Sequence, residues 1–135
     1  MNIVARALSD YADLMGGVRS HFALREGDDW VASFSAVMVM TGLLTINLSA
    51  ALALFDVWRS GEPVSAGWIS HNRGTYVLGA LGVAGVHALL GWREGVLLGE
   101  APARSSVWSR RFRFYLAFTA CMVAGSLFAV IATTG

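Results

Sequence analysis

Three long segments of the sequence carry almost no charge, and they limit the folds that the chain can adopt. They cover residues 31–58, 75–92 and 112–133, and their only charged side chains are Asp56 and Arg113. An apolar helix of about 20 residues crosses the hydrocarbon core of a bilayer, where every backbone hydrogen bond must be made within the protein. The sequence therefore predicts an all-α integral membrane bundle of three transmembrane helices.

The composition agrees with a membrane protein. Apolar residues make up 56% of the chain and charged residues 14%, whereas roughly a quarter of the residues in soluble domains are charged. The 135 residues suit a single domain. A net charge of +1 gives no reason to expect a nucleic-acid partner, and the single cysteine, Cys121, excludes a disulfide within the chain. No residue pattern indicates a hydrolytic or phosphate-binding site.

Residues 1–29 are predicted to form a short amphipathic segment at the N-terminus. Two interpretations are open: a helix on the membrane surface or against a soluble partner, or a solvated tail. The segment contains five acidic residues and no apolar core of a signal peptide, so we expect it to be retained. Its apolar residues at roughly helical spacing are Ile3, Val4, Leu8, Tyr11, Leu14 and Met15.

His87 interrupts the apolar run of the second segment, which extends from Tyr76 to Trp92. An ionisable side chain is costly inside a membrane and is a functional hypothesis by default. Ala84 and Gly91 lie one helical turn to either side, so a flat ring has room there. The residues alone leave three interpretations open: a hydrogen bond to a neighbouring helix, axial ligation of haem iron, or a role beside a quinone or in proton transfer. We expect the other helices to pack around this segment.

Small residues at helical spacing predict close packing between the helices. Thr41, Thr45 and Ser49 recur every four residues in the first segment, and we interpret this stripe as a packing surface rather than a ligand contact. Asn47 lies on another face. Further stripes are Ala80, Ala84, His87, Gly91 and Glu94; Gly91, Gly95 and Gly99; and Ala117, Cys121, Gly125 and Ala129.

The distribution of arginine predicts the orientation of the chain. With the N-terminus in the cytoplasm, eight arginines lie on the cytoplasmic side and only Arg59 and Arg73 on the other. Cytoplasmic loops carry the excess of basic residues in membrane proteins. We expect a multi-pass protein of the bacterial inner (cytoplasmic) membrane with a cytoplasmic N-terminus.

The number and order of the spans resemble those of the membrane-anchor subunits of succinate dehydrogenase and fumarate reductase, the complex II family. His87-Ala-Leu-Leu-Gly91-Trp-Arg93 is similar to the His-x-x-x-Gly-x-Arg signature of the cytochrome b anchor, in which the histidine ligates haem b. Thr41-Gly42 resembles the end of the family's His-Arg-x-Ser/Thr-Gly motif.

A second resemblance is to the haem-free fumarate reductase anchors, in which an acidic residue lies near the quinone. Leu24-Arg25-Glu26-Gly27 is similar to that segment. The chain also departs from the cytochrome b pattern, because Met38 and Val39 stand in the places of the His-Arg pair.

The resemblance implies a function and a set of site residues. The chain would dock iron–sulfur and flavoprotein subunits, which alone would hold the iron–sulfur clusters and flavin, and it would help to form a quinone site. His87 would be an axial ligand of haem b, with the second ligand on another membrane-anchor subunit or a second copy. Arg25, Glu26, Thr41 and Arg93 would contact the quinone.

Two other functions are compatible with the residues. One is a non-catalytic structural or assembly subunit of a different membrane complex. The other is the protomer of a small transporter, for which the first two spans offer only His87 and Asn47 as clearly polar groups at mid-membrane depth.

Overall fold

The computed structural model describes residues 2–26, 29–62, 64–96 and 107–134, which form five helices and no strand. Three of the helices are long and apolar enough to cross a membrane, over Trp30–Ser60, Arg73–Arg93 and Arg110–Thr133. The predicted all-α, three-span architecture of a multi-pass membrane protein is confirmed. The helices are α1 (Ile3–Glu26), α2 (Asp29–Ser60), α3 (Val64–His71), α4 (Arg73–Arg93) and α5 (Val107–Thr134).

Residues 59–74, between the first two predicted spans, are not a plain loop, because they contain the short helix α3. Gly61 ends α2 with a φ of +74°, a left-handed conformation that costs glycine little, and its N–H donates to Val57 O at 2.9 Å. The chain is then helical again from Val64. Asn72 separates α3 from α4 and donates its N–H to Trp68 O at 2.9 Å.

The central element of the bundle is α2, and the expectation that the other helices pack around the second span is wrong. Helix α2 contacts all four other helices. It is the longest helix, and several of its contact positions are alanines, which allow neighbouring backbones to approach closely. Its buried alanines are Ala32, Ala36, Ala50 and Ala53.

Paired side chains fix the direction of α4 relative to α2. Thr41 Oγ1 lies 3.2 Å from His87 Nδ1, and Ser49 Oγ lies 3.0 Å from Tyr76 Oη. Residue numbers therefore rise along α2 as they fall along α4, and the two helices are antiparallel. These contacts also confirm that Thr41 and Ser49 belong to a packing surface.

Helix α5 runs parallel to α2. Asn47 Nδ2 donates to Thr119 Oγ1 at 2.7 Å, and nearer the start of both helices Val39 and Phe112 line the same cavity. The start of α2, the end of α4 and the start of α5 therefore lie at one end of the bundle.

The N-terminal segment forms α1 and packs into the bundle, so the interpretation as a solvated tail is wrong. Met15 is fully buried and joins Met40 of α2 and Val96 after α4 in one hydrophobic core. Arg19 is only 2% exposed, and its Nε donates to Ser33 Oγ at 2.8 Å. Helix α1 thus completes the core at the end of the bundle where α4 ends and α5 begins.

Helix α4 ends in a turn that also corrects a prediction about its glycines. Gly95 has a φ of +71° and donates its N–H to Trp92 O at 3.1 Å, while the N–H of Val96 donates to Gly91 O at 3.0 Å. These two bonds form a Schellman motif, which satisfies carbonyls that a helix end leaves unpaired. Gly91 and Gly95 therefore do not lie on one continuous helical face, and Gly99 lies outside the described residues.

Candidate functional site

His87 lies where α1, α2 and α4 meet, and it is 3% exposed. Its Nε2 is 2.6 Å from the hydroxyl oxygen of Tyr11 in α1. Its Nδ1 is 2.9 Å from the carbonyl oxygen of Val83, one turn earlier in α4, and 3.2 Å from Thr41 Oγ1 in α2. Both ring nitrogens are therefore engaged by groups of this chain.

The partners of His87 define its tautomer. A backbone carbonyl can only accept a hydrogen bond, so Nδ1 carries the proton that is donated to Val83 O. In the neutral ring Nε2 is then an acceptor, and the Tyr11 hydroxyl donates to it. The two rings are tilted by 35° with their centroids 5.5 Å apart. His87 thus holds α1 against α4 while keeping a neutral ring in the apolar bundle.

Tyr11 is suited to remain the donor in this pair. Burial, together with the neighbouring Tyr115 of α5, raises the pKa of the Tyr11 phenol above its ordinary value. The hydroxyl therefore stays protonated at neutral pH and able to donate. We call Tyr11, Thr41, His87 and Tyr115 the His87 cluster; its members come from four different helices.

The structure brings together only some of the residues predicted for the quinone site. Thr41 is buried and contacts His87. Arg93 is exposed in the last turn of α4. Arg25 and Glu26 lie in the last turn of α1, and their side chains are outside the described residues. Tyr11 was missed as a site residue, because a contact with a residue so distant in sequence leaves no signal in local spacing.

The surroundings of His87 do not fit an axial haem ligand in this arrangement. Haem iron binds the free electron pair of a ring nitrogen. In this tautomer only Nε2 has a free electron pair, and it accepts the hydrogen bond of Tyr11. For a metal ion without a porphyrin, no group of three or more His, Cys, Asp or Glu side chains is present among the described residues.

A second polar group lies further along α2. Ser49 contacts Tyr76 of α4, and Asn47 donates to Thr119 of α5. Within the described part of the chain, Thr45 Oγ1 and Asn47 Oδ1 of this group, and Tyr115 Oη of the His87 cluster, are buried without a hydrogen-bond partner. Buried polar atoms of this kind are usually satisfied by water or by another molecule. These contacts attach both later spans to α2.

A cavity of about 600 Å³ lies between α1, α2 and α5 and borders the hydrophobic core of Met15 and Met40. Its walls are mostly apolar, with two polar side chains, a composition typical of ligand-binding cavities. The apolar lining residues are Val18, Phe22, Val39, Phe112 and Leu116, and the polar ones are His21 and Arg113. Residue spacing does not indicate this cavity, because the wall from α5 lies far from α1 and α2 along the chain.

Comparisons with protein-family models, with curated proteins and with solved structures found no match for this chain. The resemblance to the complex II anchors consequently rests on the motifs at Arg25, Thr41 and His87. Function has to be inferred from these residues and from the geometry of the bundle.

Proposed function

We propose that this chain is a membrane-anchor subunit of a succinate:quinone or quinol:fumarate oxidoreductase, which docks soluble flavin and iron–sulfur subunits and helps to form a quinone site. The observation that carries the proposal is the buried His87, an ionisable group inside a span that side chains of two other helices hold in place. Polar groups at such depth are costly and mark functional positions in membrane bundles. Electrons would pass from a cluster in the partner to the quinone.

The arrangement of the helices supports a particular docking face. The C-terminal turn of α1, the start of α2, the end of α4 and the start of α5 share one end of the bundle, and the exposed Arg93, Arg110 and Arg111 lie there. In the proposal this end faces the cytoplasm of a bacterial cell and receives the soluble subunits. Arg25 and Glu26, in the last turn of α1, would then lie close to the incoming electrons and the quinone.

The orientation can be tested with reporters fused to the two ends of the chain. We expect the C-terminus to lie outside the cytoplasm. A C-terminal reporter that works only outside the cytoplasm should therefore be active, and a C-terminal reporter that works only in the cytoplasm should be inactive. The physical reason is the excess of arginine at the opposite end. Activity of the cytoplasmic reporter at the C-terminus would contradict the proposed docking face.

The quinone site can be tested with Glu26→Gln in the purified complex. Loss of a charged hydrogen-bond partner, worth about 1.5–3 kcal/mol, should lower kcat/KM for quinone by roughly 10- to 100-fold while the subunits still assemble. Glu62→Gln is the matched control, since Glu62 is exposed at the other end of the bundle. Unchanged quinone kinetics in Glu26→Gln would remove Glu26 from the site.

Haem forms no part of this mechanism, because Tyr11 engages the nitrogen that iron would need. The chain's own residues would bind and orient the quinone at the mouth of the bundle. Haem b ligated by His87 stays a prediction from the resemblance, and it requires the Tyr11 side chain to turn away.

The second candidate is a non-catalytic structural or assembly subunit of another membrane complex. It is favoured by the contacts of His87, which satisfy both ring nitrogens within the chain. It is also favoured by α4 and α5, whose Cα atoms stay more than 8 Å apart in the described part of the chain and which bury only 11% of their most apolar stretches. The proteins that co-purify with the chain distinguish the two candidates, since a flavoprotein supports only the first.

A further inference from the structure

The cavity between α1, α2 and α5 lies at the boundary of the apolar spans. Phe112, Arg113 and Leu116 belong to the first two turns of the span Arg110–Thr133. A residue in that position lies near the lipid headgroups, and an arginine there can extend its guanidinium towards them. The cavity therefore has an apolar interior within the membrane and a polar rim at its surface.

The rim of the cavity is positively charged. Arg113 lines the cavity itself, and the exposed Arg110 lies one turn earlier on nearly the same face of α5, about 60° around the helix. Arg111 approaches Asp10 of α1 to 3.8 Å, but both side chains are more than half exposed, so this ion pair is weak. Two arginines on this face of the helix start, Arg110 and Arg113, favour an anionic ligand group over a neutral one.

The walls of the cavity require a ligand that is mostly apolar. Phe22, Val39 and Leu116 present rings and aliphatic carbons from three helices, and such walls gain nothing from a small, fully polar anion. A molecule that fits both the apolar walls and the positively charged rim has a long hydrocarbon chain attached to an anionic head group. A membrane supplies such molecules at high local concentration.

We propose that this cavity binds an anionic phospholipid, with its phosphate on the guanidinium of Arg113 and an acyl chain between α1 and α5. Arginine binds phosphate oxygens through two parallel N–H donors, and basic pockets between transmembrane helices accept anionic lipid headgroups. The lipid would fill the space between α1 and α5 and so stabilise α1 against the spans. This inference does not depend on the proposed respiratory function.

The test compares two lipids on the purified full-length chain in detergent. Phosphatidylglycerol is expected to raise the Tm more than phosphatidylcholine with the same acyl chains, and a bound lipid should be visible by native mass spectrometry. Arg113→Gln should weaken phosphatidylglycerol binding roughly tenfold or more, since it removes a charged hydrogen-bond donor. Arg73→Gln is the matched control, because Arg73 is exposed at the start of α4, away from the cavity.

A second variant separates the apolar walls from the charged rim. Leu116→Trp should fill the cavity and lower the occupancy of phosphatidylglycerol while Arg113 stays in place. Equal effects of the two lipids on wild type would overturn the proposal, as would unchanged binding in both variants. Displacement of the bound lipid by a short-chain quinone at equimolar concentration would also overturn it and would assign the cavity to the quinone.

Discussion

Met40→Ala is expected to lower the free energy of unfolding by about 2–5 kcal/mol. Met40 is fully buried in α2 and packs in the same core as Met15 of α1. In a membrane bundle, packing contacts rather than transfer from water hold the helices together. Truncation leaves a cavity that its neighbours fill only in part, so the contacts are lost outright. The loss should appear as a lower midpoint of unfolding in mixed detergent micelles.

Met38→Ala is the matched control for this prediction. Met38 lies in the same helix two residues earlier and is 45% exposed, so its truncation removes few contacts and should change stability by no more than about 0.5 kcal/mol. Similar losses in the two variants would mean that α1 does not cover Met40 as described.

The three spans could be predicted from the sequence because each depends on its own residues alone. Length and hydropathy identify residues 31–58, 75–92 and 112–133 without knowledge of what each segment contacts. The structure extends each of them, most clearly at the start of α5, which begins at Val107. Polar residues can continue a helix beyond the membrane, where water satisfies the unpaired backbone groups of its end, so hydropathy marks the apolar part and not the helix ends.

The packing of α1 could not be predicted in the same way. Its apolar positions predicted a helix with one apolar face, but such a face fits a membrane surface, a soluble partner or the chain's own spans equally well. Arg19 is buried in the structure, although arginines are mostly exposed unless they have partners. One of its partners, Ser33, belongs to α2, and spacing within α1 does not indicate such a contact.

The residues of the motif His87-Ala-Leu-Leu-Gly91-Trp-Arg93 do not all share one face of α4, although the motif resembles that of the cytochrome b anchor. Gly91 follows His87 by four residues, about 40° around the helix, and both are buried. Arg93 follows by six residues, about 240° around the helix, and is exposed. His87 and Arg93 therefore lie on different faces of α4. Arg93 is exposed at the end of the bundle and does not lie beside the ring of His87.

The pair of Tyr11 and His87 should show strong energetic coupling. Tyr11→Phe keeps the aromatic ring but leaves His87 Nε2 without its donor, which should cost about 1–3 kcal/mol. His87→Leu similarly leaves the Tyr11 hydroxyl without an acceptor. The double variant has neither unpaired group, so it should be less destabilised than the sum of the single variants, by about 1–2 kcal/mol.

The pH dependence of this pair follows from Tyr11. Its folded pKa is raised by burial and by Tyr115, so the folded state favours the protonated phenol more than the unfolded state does. The stabilisation is present at neutral pH and is lost as the pH rises above the ordinary tyrosine pKa of about 10. Tyr11→Phe should remove this alkaline loss.

The coupling is measured by unfolding the wild type, the two single variants and the double variant in detergent. His71→Leu combined with Tyr11→Phe is the control cycle, because His71 is exposed and its hydrogen bond among the described residues is to Gly67 O of its own helix, at 2.9 Å. Its coupling to Tyr11 should be zero. A reduced-minus-oxidised spectrum of the same samples gives an independent test. A b-type signal in the wild type that disappears in His87→Leu would show that iron occupies Nε2, and it would contradict the pairing with Tyr11.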